Sequence, residues 1–227
     1  ILFDSLIVEL TSSSKKDSTM KKLLIPLFSL FFLYSPSVFA DDISDFEIEG
    51  ISIGDSLLDY MTEDEILEWI ETTKDHFYYL KEPNKYAEIY LFKDFPTYEK
   101  MSFFIKNNST NQYVTNKNEK YTILFIRGMI TYIEDFEGCI QKRDEIVEVL
   151  SGMFPNAQKI EDSWTDEIDP SGNSIIDDVT FIFDSEDRIV ARCNNWEENY
   201  RTQNNYSEGL DIAIETKEIY KWTTDYK

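Results

Sequence analysis

Several groups of residues in this 227-residue chain have types and spacings that bear on chemistry. Ser56 closes the string Ile53-Gly54-Asp55-Ser56, at the end of an apolar run. A serine hydroxyl attacks only when a histidine takes its proton and a carboxylate orients that histidine. The chain has 1 histidine, His76, and its neighbours Lys74-Asp75 and Phe77-Tyr78 offer no second ligand at metal-binding spacing. The acidic loop 166–178 invites a calcium reading. Setting Gly172 at the invariant glycine of a twelve-residue calcium loop puts Glu167, Asp169, Ser171 and Asp178 at ligand positions 1, 3, 5 and 12. Position 12 then lacks the longer bidentate glutamate, and Pro-Ser-Gly-Asn turn chemistry explains the same residues as a hairpin loop. The many carboxylates admit a glycosidase pair, whose separation in space sequence order does not reveal. Trp69, Trp164, Trp196 and Trp222 are suited to stacking on a ligand or to lining a sheet core. There is no phosphate loop, dinucleotide fingerprint or HExxH motif.

Gly54-Asp55-Ser56-Leu57 resembles the opening block of the GDSL esterase/lipase family. The resemblance implies Ser56 as nucleophile on a parallel α/β fold. That family completes its site with Gly-x-Asn-Asp and Asp-x-x-His blocks, and neither occurs in this chain. Separately, the stretch from Ile43 to Leu57 resembles the mature N-terminus of uncharacterised small secreted proteins of marine bacteria, a resemblance that implies no activity.

The elements that must position these residues follow from periodicity. Phe46–Ile53 alternates apolar and acidic and reads as a strand bent at Gly50. Thr62-Glu63-Asp64-Glu65 is a capping box, with Met61 and Ile66 at staple positions. It predicts a helix to about Asp75 with Ile66, Leu67 and Ile70 facing the core. Aromatic and β-branched runs predict strands at Tyr86–Phe92, Tyr98–Lys106 and Tyr121–Ile126. Arg127-Gly128 then reads as a turn into Met129–Ile133, and 107–120 as an exposed loop. A second helix is expected over Glu137–Met153, with Cys139, Ile146, Val147, Leu150 and Phe154 on one stripe. Strands follow near 158–164, 179–184, 189–193 and 210–216, with Ser185-Glu186-Asp187 as a hairpin turn. The fold class expected is α+β, with antiparallel meanders and two main helices on one face, arranged as two similar α-β units sharing one core.

Compartment is read from the N-terminal part. Residues 1–19 read as an upstream non-native extension, with Met20 as the true start. Met20-Lys21-Lys22, an apolar run to Tyr34, and Val38-Phe39-Ala40 form the three regions of a cleavable signal peptide over 20–40. The apolar run is shorter than the roughly 20 residues that span a bilayer. Residues 41–227 are then one acidic globular domain, periplasmic or extracellular, with no membrane anchor after cleavage. Residues 1–40 hold four lysines and three acids, so 41–227 keep 18 basic and 41 acidic residues and a formal charge of −23. That field repels nucleic-acid phosphates, and the 15% aromatic content argues against disorder. Cys139 and Cys193 are an even pair suited to a disulfide in an oxidising compartment. Nothing in this inventory assembles an activated nucleophile, acid–base pair or metal cage. The expectation is an exported binding module, without catalytic residues, cofactor or metal, that meets an unknown protein or small-molecule ligand. The alternative is a secreted hydrolase, glycosidase-like through carboxylates or GDSL-like through Ser56.

Overall fold

The computed structural model describes residues 42–74, 85–93, 95–107 and 120–225. The expected extension, the expected signal peptide, His76 and most of the 107–120 loop lie outside the described residues.

One seven-stranded antiparallel sheet organises these residues. Its strands are β1 (Tyr86–Leu91), β2 (Lys100–Lys106), β3 (Ile123–Thr131), β4 (Gln158–Thr165), β5 (Ile175–Ile182), β6 (Arg188–Asn195) and β7 (Gly209–Glu215). The spatial order is β1-β2-β3-β7-β6-β5-β4. Two three-strand meanders are thus joined through β7. Each meander follows a helix: α1 (Glu63–Thr73) precedes β1–β3 and α2 (Phe136–Met153) precedes β4–β6. That is the expected α+β arrangement of two related units sharing one core.

Strand alternation decides what each face carries. On the first face Ala87, Ile89, Met101, Phe103, Ile105, Ile123, Ile126, Val179, Phe181, Ile189, Ala191, Ile212 and Ile214 merge into one core with Ile66 of α1 and Val147 and Leu150 of α2. Thr62 accepts from the Glu65 amide while the Glu65 carboxylate accepts from the Thr62 amide, which closes the capping box that starts α1. Cys139 at the start of α2 is disulfide-bonded to Cys193 of β6, with Cα atoms 6.0 Å apart. On the second face Tyr86, Phe104 and Leu124 meet Ile219 and Trp222 of a C-terminal helix, α4 (Lys217–Asp225). A short helix, α3 (Glu198–Asn204), lies in the β6–β7 connection.

The structure corrects several expectations. Phe46–Ile53 is not a strand. Ile48 and Ile51 exchange both backbone hydrogen bonds across a two-residue turn in which Glu49 and Gly50 have φ of 55° and 74°. Two successive positive φ values fold the chain back on itself, and a glutamate takes the first of them. Arg127-Gly128 is not a turn either, since β3 runs unbroken and Gly128 stands opposite Met101 and Ile212. A Cβ on Gly128 would lie 2.6 Å from the Tyr98 ring, so the glycine makes room for an aromatic to lie across the strand. Leu67 is 41% exposed, whereas Trp69 packs with Ile70 against the core. β5 begins at Ile175 rather than near Val179. Neither α3 nor α4 was apparent from periodicity.

Candidate functional site

Ser56 is 2% exposed. Its hydroxyl donates to the Lys120 carbonyl at 2.7 Å and accepts from the Leu58 amide, capping a 3-10 turn over Leu57–Asp59. The segment around it is laced to the start of β3: Gly54 N–H donates to the Ile123 carbonyl and Leu57 N–H to that of Tyr121. Ser56 therefore holds the N-terminal segment onto the sheet. The glycine-rich string supplies its turn, with Gly54 at φ 92°.

The acidic loop is also internally satisfied. Asp169 Oδ1 accepts from the Ser171 amide, and Oδ2 from the Ser171 hydroxyl and from both the amide and hydroxyl of Ser174. Burial opposes ionisation, but these donors outweigh it and hold the Asp169 carboxyl well below the usual range. Asp178, which a calcium loop would need as its twelfth residue, instead stands on β5 and pairs with Arg192 at 2.8 Å. The loop's oxygens do not converge. Among the described residues no group of three or more carboxylates, histidines or cysteines is placed to hold a metal ion.

Chemistry is concentrated instead on the second face of the sheet. Asp162, Asp178, Arg192 and Asp211 are successive cross-strand partners on β4, β5, β6 and β7. Asp211 stands next to Met129 of β3. Two residues back along that strand, Arg127 faces Ser102 of β2 and donates Nε–H to its hydroxyl at 3.2 Å. The Arg127 guanidinium lies 3.8 Å from Glu88 of β1, whose carboxylate also accepts from the Tyr90 hydroxyl at 3.0 Å. Asn194 donates to Asp211 at 3.0 Å. A row of charged side chains thus crosses the sheet. From Asp178 through Arg192, Asp211 and Arg127 to Glu88 the signs alternate, while Asp162 on β4 repeats the sign of Asp178.

Hydration is uneven along the row, from the 37% exposed side chain of Arg192 to the interior at β1 and β2. Glu88 is 1% exposed and Ser102 fully buried. Burial pushes the Asp211 carboxyl up, against the opposing pull of Arg127 and Arg192. Burial likewise pushes Glu215, four positions along β7, up to about 7, with Arg188 and Arg192 opposing. Lys100, at the β2 end of the row, is lowered by burial and by Arg127. Its ammonium donates to the Ser207 hydroxyl at 2.5 Å beside a cavity of about 20 Å³ lined by Lys100, Met129, Gly209 and Asp211. Carboxylates raised and an amine lowered on one surface mark a place where charge is held at a cost, as in many binding and active sites.

Aromatic groups flank the row. Arg192 lies over the Trp164 ring at 5.5 Å, and Trp196, Tyr200 and Tyr206 form a cluster whose Trp196 Nε1–H donates to the Ser207 carbonyl. At the other side Arg188 stacks on Tyr220 of α4 at 3.2 Å. Of the four tryptophans, Trp222 is in the α4 cluster and Trp69 beside Tyr90 and Phe92, while Trp164 and Trp196 border the row. The charge row was missed in sequence because it depends on register. Each member occupies a polar position in a strand, and only the pairing across six strands reveals the alternation of sign.

No protein-family model matches the chain, and neither the curated proteins nor the solved structures contain a match to it. Among the described residues no helix is long and apolar enough to cross a membrane.

Proposed function

We propose that residues 41–227 act as an exported, non-catalytic binding module whose ligand docks along the charge row of the second sheet face. The carrying observation is the alternation Asp178–Arg192–Asp211–Arg127 on a partly exposed surface bordered by aromatic rings. Fixed charges of both signs at strand spacing favour a ligand that itself carries both, such as a peptide or other zwitterion, over a simple anion or cation. A chain of formal charge −22 makes nucleic acid a poor partner. The disulfide fits an oxidising compartment, periplasmic or extracellular, and with it the reading of 20–40 as a cleaved export signal.

One observation favours a hydrolase as a second reading. Glu215, with its carboxyl at about 7, has the proton affinity of a general acid. Its nearest raised neighbour on the strand is Asp211, four residues away, which is about 13 Å at strand rise. Glycosidase pairs need about 5–9.5 Å. The spacing supports binding over hydrolysis.

Nuclear magnetic resonance titration of residues 41–227 with zwitterionic dipeptides, polyamines and oligosaccharides tests the proposal. The expected result is saturable shifts at Lys100, Arg127, Arg192, Asn194 and Asp211 with the dipeptides, weakened in Arg192→Gln. Shifts that map to another surface would refute the docking site. Turnover of glycosides or esters that Glu215→Gln abolishes would refute the non-catalytic reading.

A further inference from the structure

The sheet ends on β4, an eight-residue strand whose every residue is exposed. Among the described residues nothing pairs with its outer edge. The ladder phase tells which groups face outward. Asp166 N–H donates to the Ser174 carbonyl, so by antiparallel alternation residues 164, 162 and 160 also direct their backbone groups to β5. Lys159, Glu161, Ser163 and Thr165 direct theirs away from the sheet. Long exposed edges are normally blunted by proline, a bulge or charged side chains; β4 has no proline and no bulge, and its lysine, Lys159, is paired with Glu161 of the same strand at 2.7 Å. It carries instead Ile160, 41% exposed, and Trp164, 36% exposed.

We propose that β4 pairs antiparallel with β4 of a second copy of this chain, centred on Ile160. A two-fold axis there sets Ile160 against Ile160 of the other copy and Lys159 against Glu161 twice, with Gln158 against Asp162. The outward backbone groups of Lys159 and Glu161 then exchange hydrogen bonds across the axis. The competing registers are worse. Centring on Lys159, Glu161 or Asp162 places like charges directly opposite, which destabilises a strand pair. Asp162 also accepts from the Ser163 amide at 2.9 Å, which engages the next outward donor and leaves the Lys159–Glu161 pair as the favoured contact. The interface is isologous, as closed dimers require. It joins two sheets edge to edge with both charge rows on the same side.

Sedimentation velocity across micromolar to millimolar concentration, in about 0.15 M salt so that the two acidic bodies are screened beyond about 8 Å, tests this. The expected result is a reversible monomer–dimer equilibrium. Lys159→Glu sets four acids around the axis and should weaken it about tenfold or more, since two opposite-charge pairs become like-charge pairs. Adding Glu161→Lys restores both pairs with signs exchanged and should restore the dimer. Glu161→Pro, which removes an outward donor and no intrachain one, should abolish it. Circular dichroism and melting temperature report whether each variant keeps its fold. A monomer at every concentration overturns the proposal, as does a dimer indifferent to Lys159→Glu or not restored by the double exchange.

Discussion

Reducing the Cys139–Cys193 bridge gives the largest single stability change that the structure allows to be worked out. The bond spans a sequence separation of 54, and both cysteines are buried, at 1% and 0% exposure. Their Cα separation of 6.0 Å lies at the usual bridging distance, so reduction requires no backbone rearrangement. The effect then falls on the unfolded chain. In the chain-entropy model, releasing a loop of that size frees about 14 cal/mol/K, or about 4 kcal/mol at 25 °C. For a domain of this size each kcal/mol moves the midpoint by about 2–4 °C, so the melting temperature should fall roughly 8–16 °C on reduction. Equilibrium guanidinium unfolding of oxidised and reduced protein, with Cys139→Ala/Cys193→Ala as control, measures it. The reduced protein should keep its far-ultraviolet spectrum and show a slightly steeper denaturant slope, because its unfolded state is more expanded. A loss below about 1 kcal/mol would refute the loop-entropy reasoning, and loss of the native fold in reductant would show that the bridge supports the native packing of α2 on β6 as well.

Two further outcomes follow from the second face and from β3. The Glu215 carboxyl is raised from 4.5 to about 7 on folding, so the folded state binds its proton more tightly than the unfolded chain does. The stabilisation it brings is complete below about pH 4.5 and is lost as pH rises through 7. Glu215→Gln should therefore be near neutral at pH 4 and stabilising by about 1–3 kcal/mol at pH 8, and a pH-independent difference in chemical denaturation would contradict this. Gly128→Ala drives a methyl into the Tyr98 ring and should cost about 1–3 kcal/mol. In a Tyr98→Ala background the same change should be neutral or favourable, because glycine in a strand interior carries an entropic penalty. A double-mutant cycle with no coupling would refute the contact.

What was legible beforehand was local. The Thr62–Glu65 box spans four residues and states its own geometry, and the Ser185-Glu186-Asp187 turn lies between runs whose alternation is visible within one window. The cysteine pairing followed from there being only two. The failures share the opposite property. Glu49, whose carboxylate accepts from the Thr97 amide, and Gly128 under Tyr98 make contacts that a window does not contain. Leu67, expected inward, is exposed because α1 turns its apolar stripe towards β1, where Tyr90 and Phe92 receive the Trp69 indole. α3 and α4, 7 and 9 residues long, are too short for a helical period to declare itself. The charge row is a matter of register, and register is long-range information.

The position of β7 has a consequence for the order in which the molecule can come together. The strand nearest the C-terminus lies in the middle of the sheet, between β3 and β6. A chain emerging from its N-terminus can build each meander as it appears, yet it cannot unite them until residue 215 is free. Until then β3 and β6 each leave one side without its neighbouring strand. Closure of the sheet is therefore a late event in synthesis, and a chain shortened before Gly209 would lack the strand that joins the two meanders.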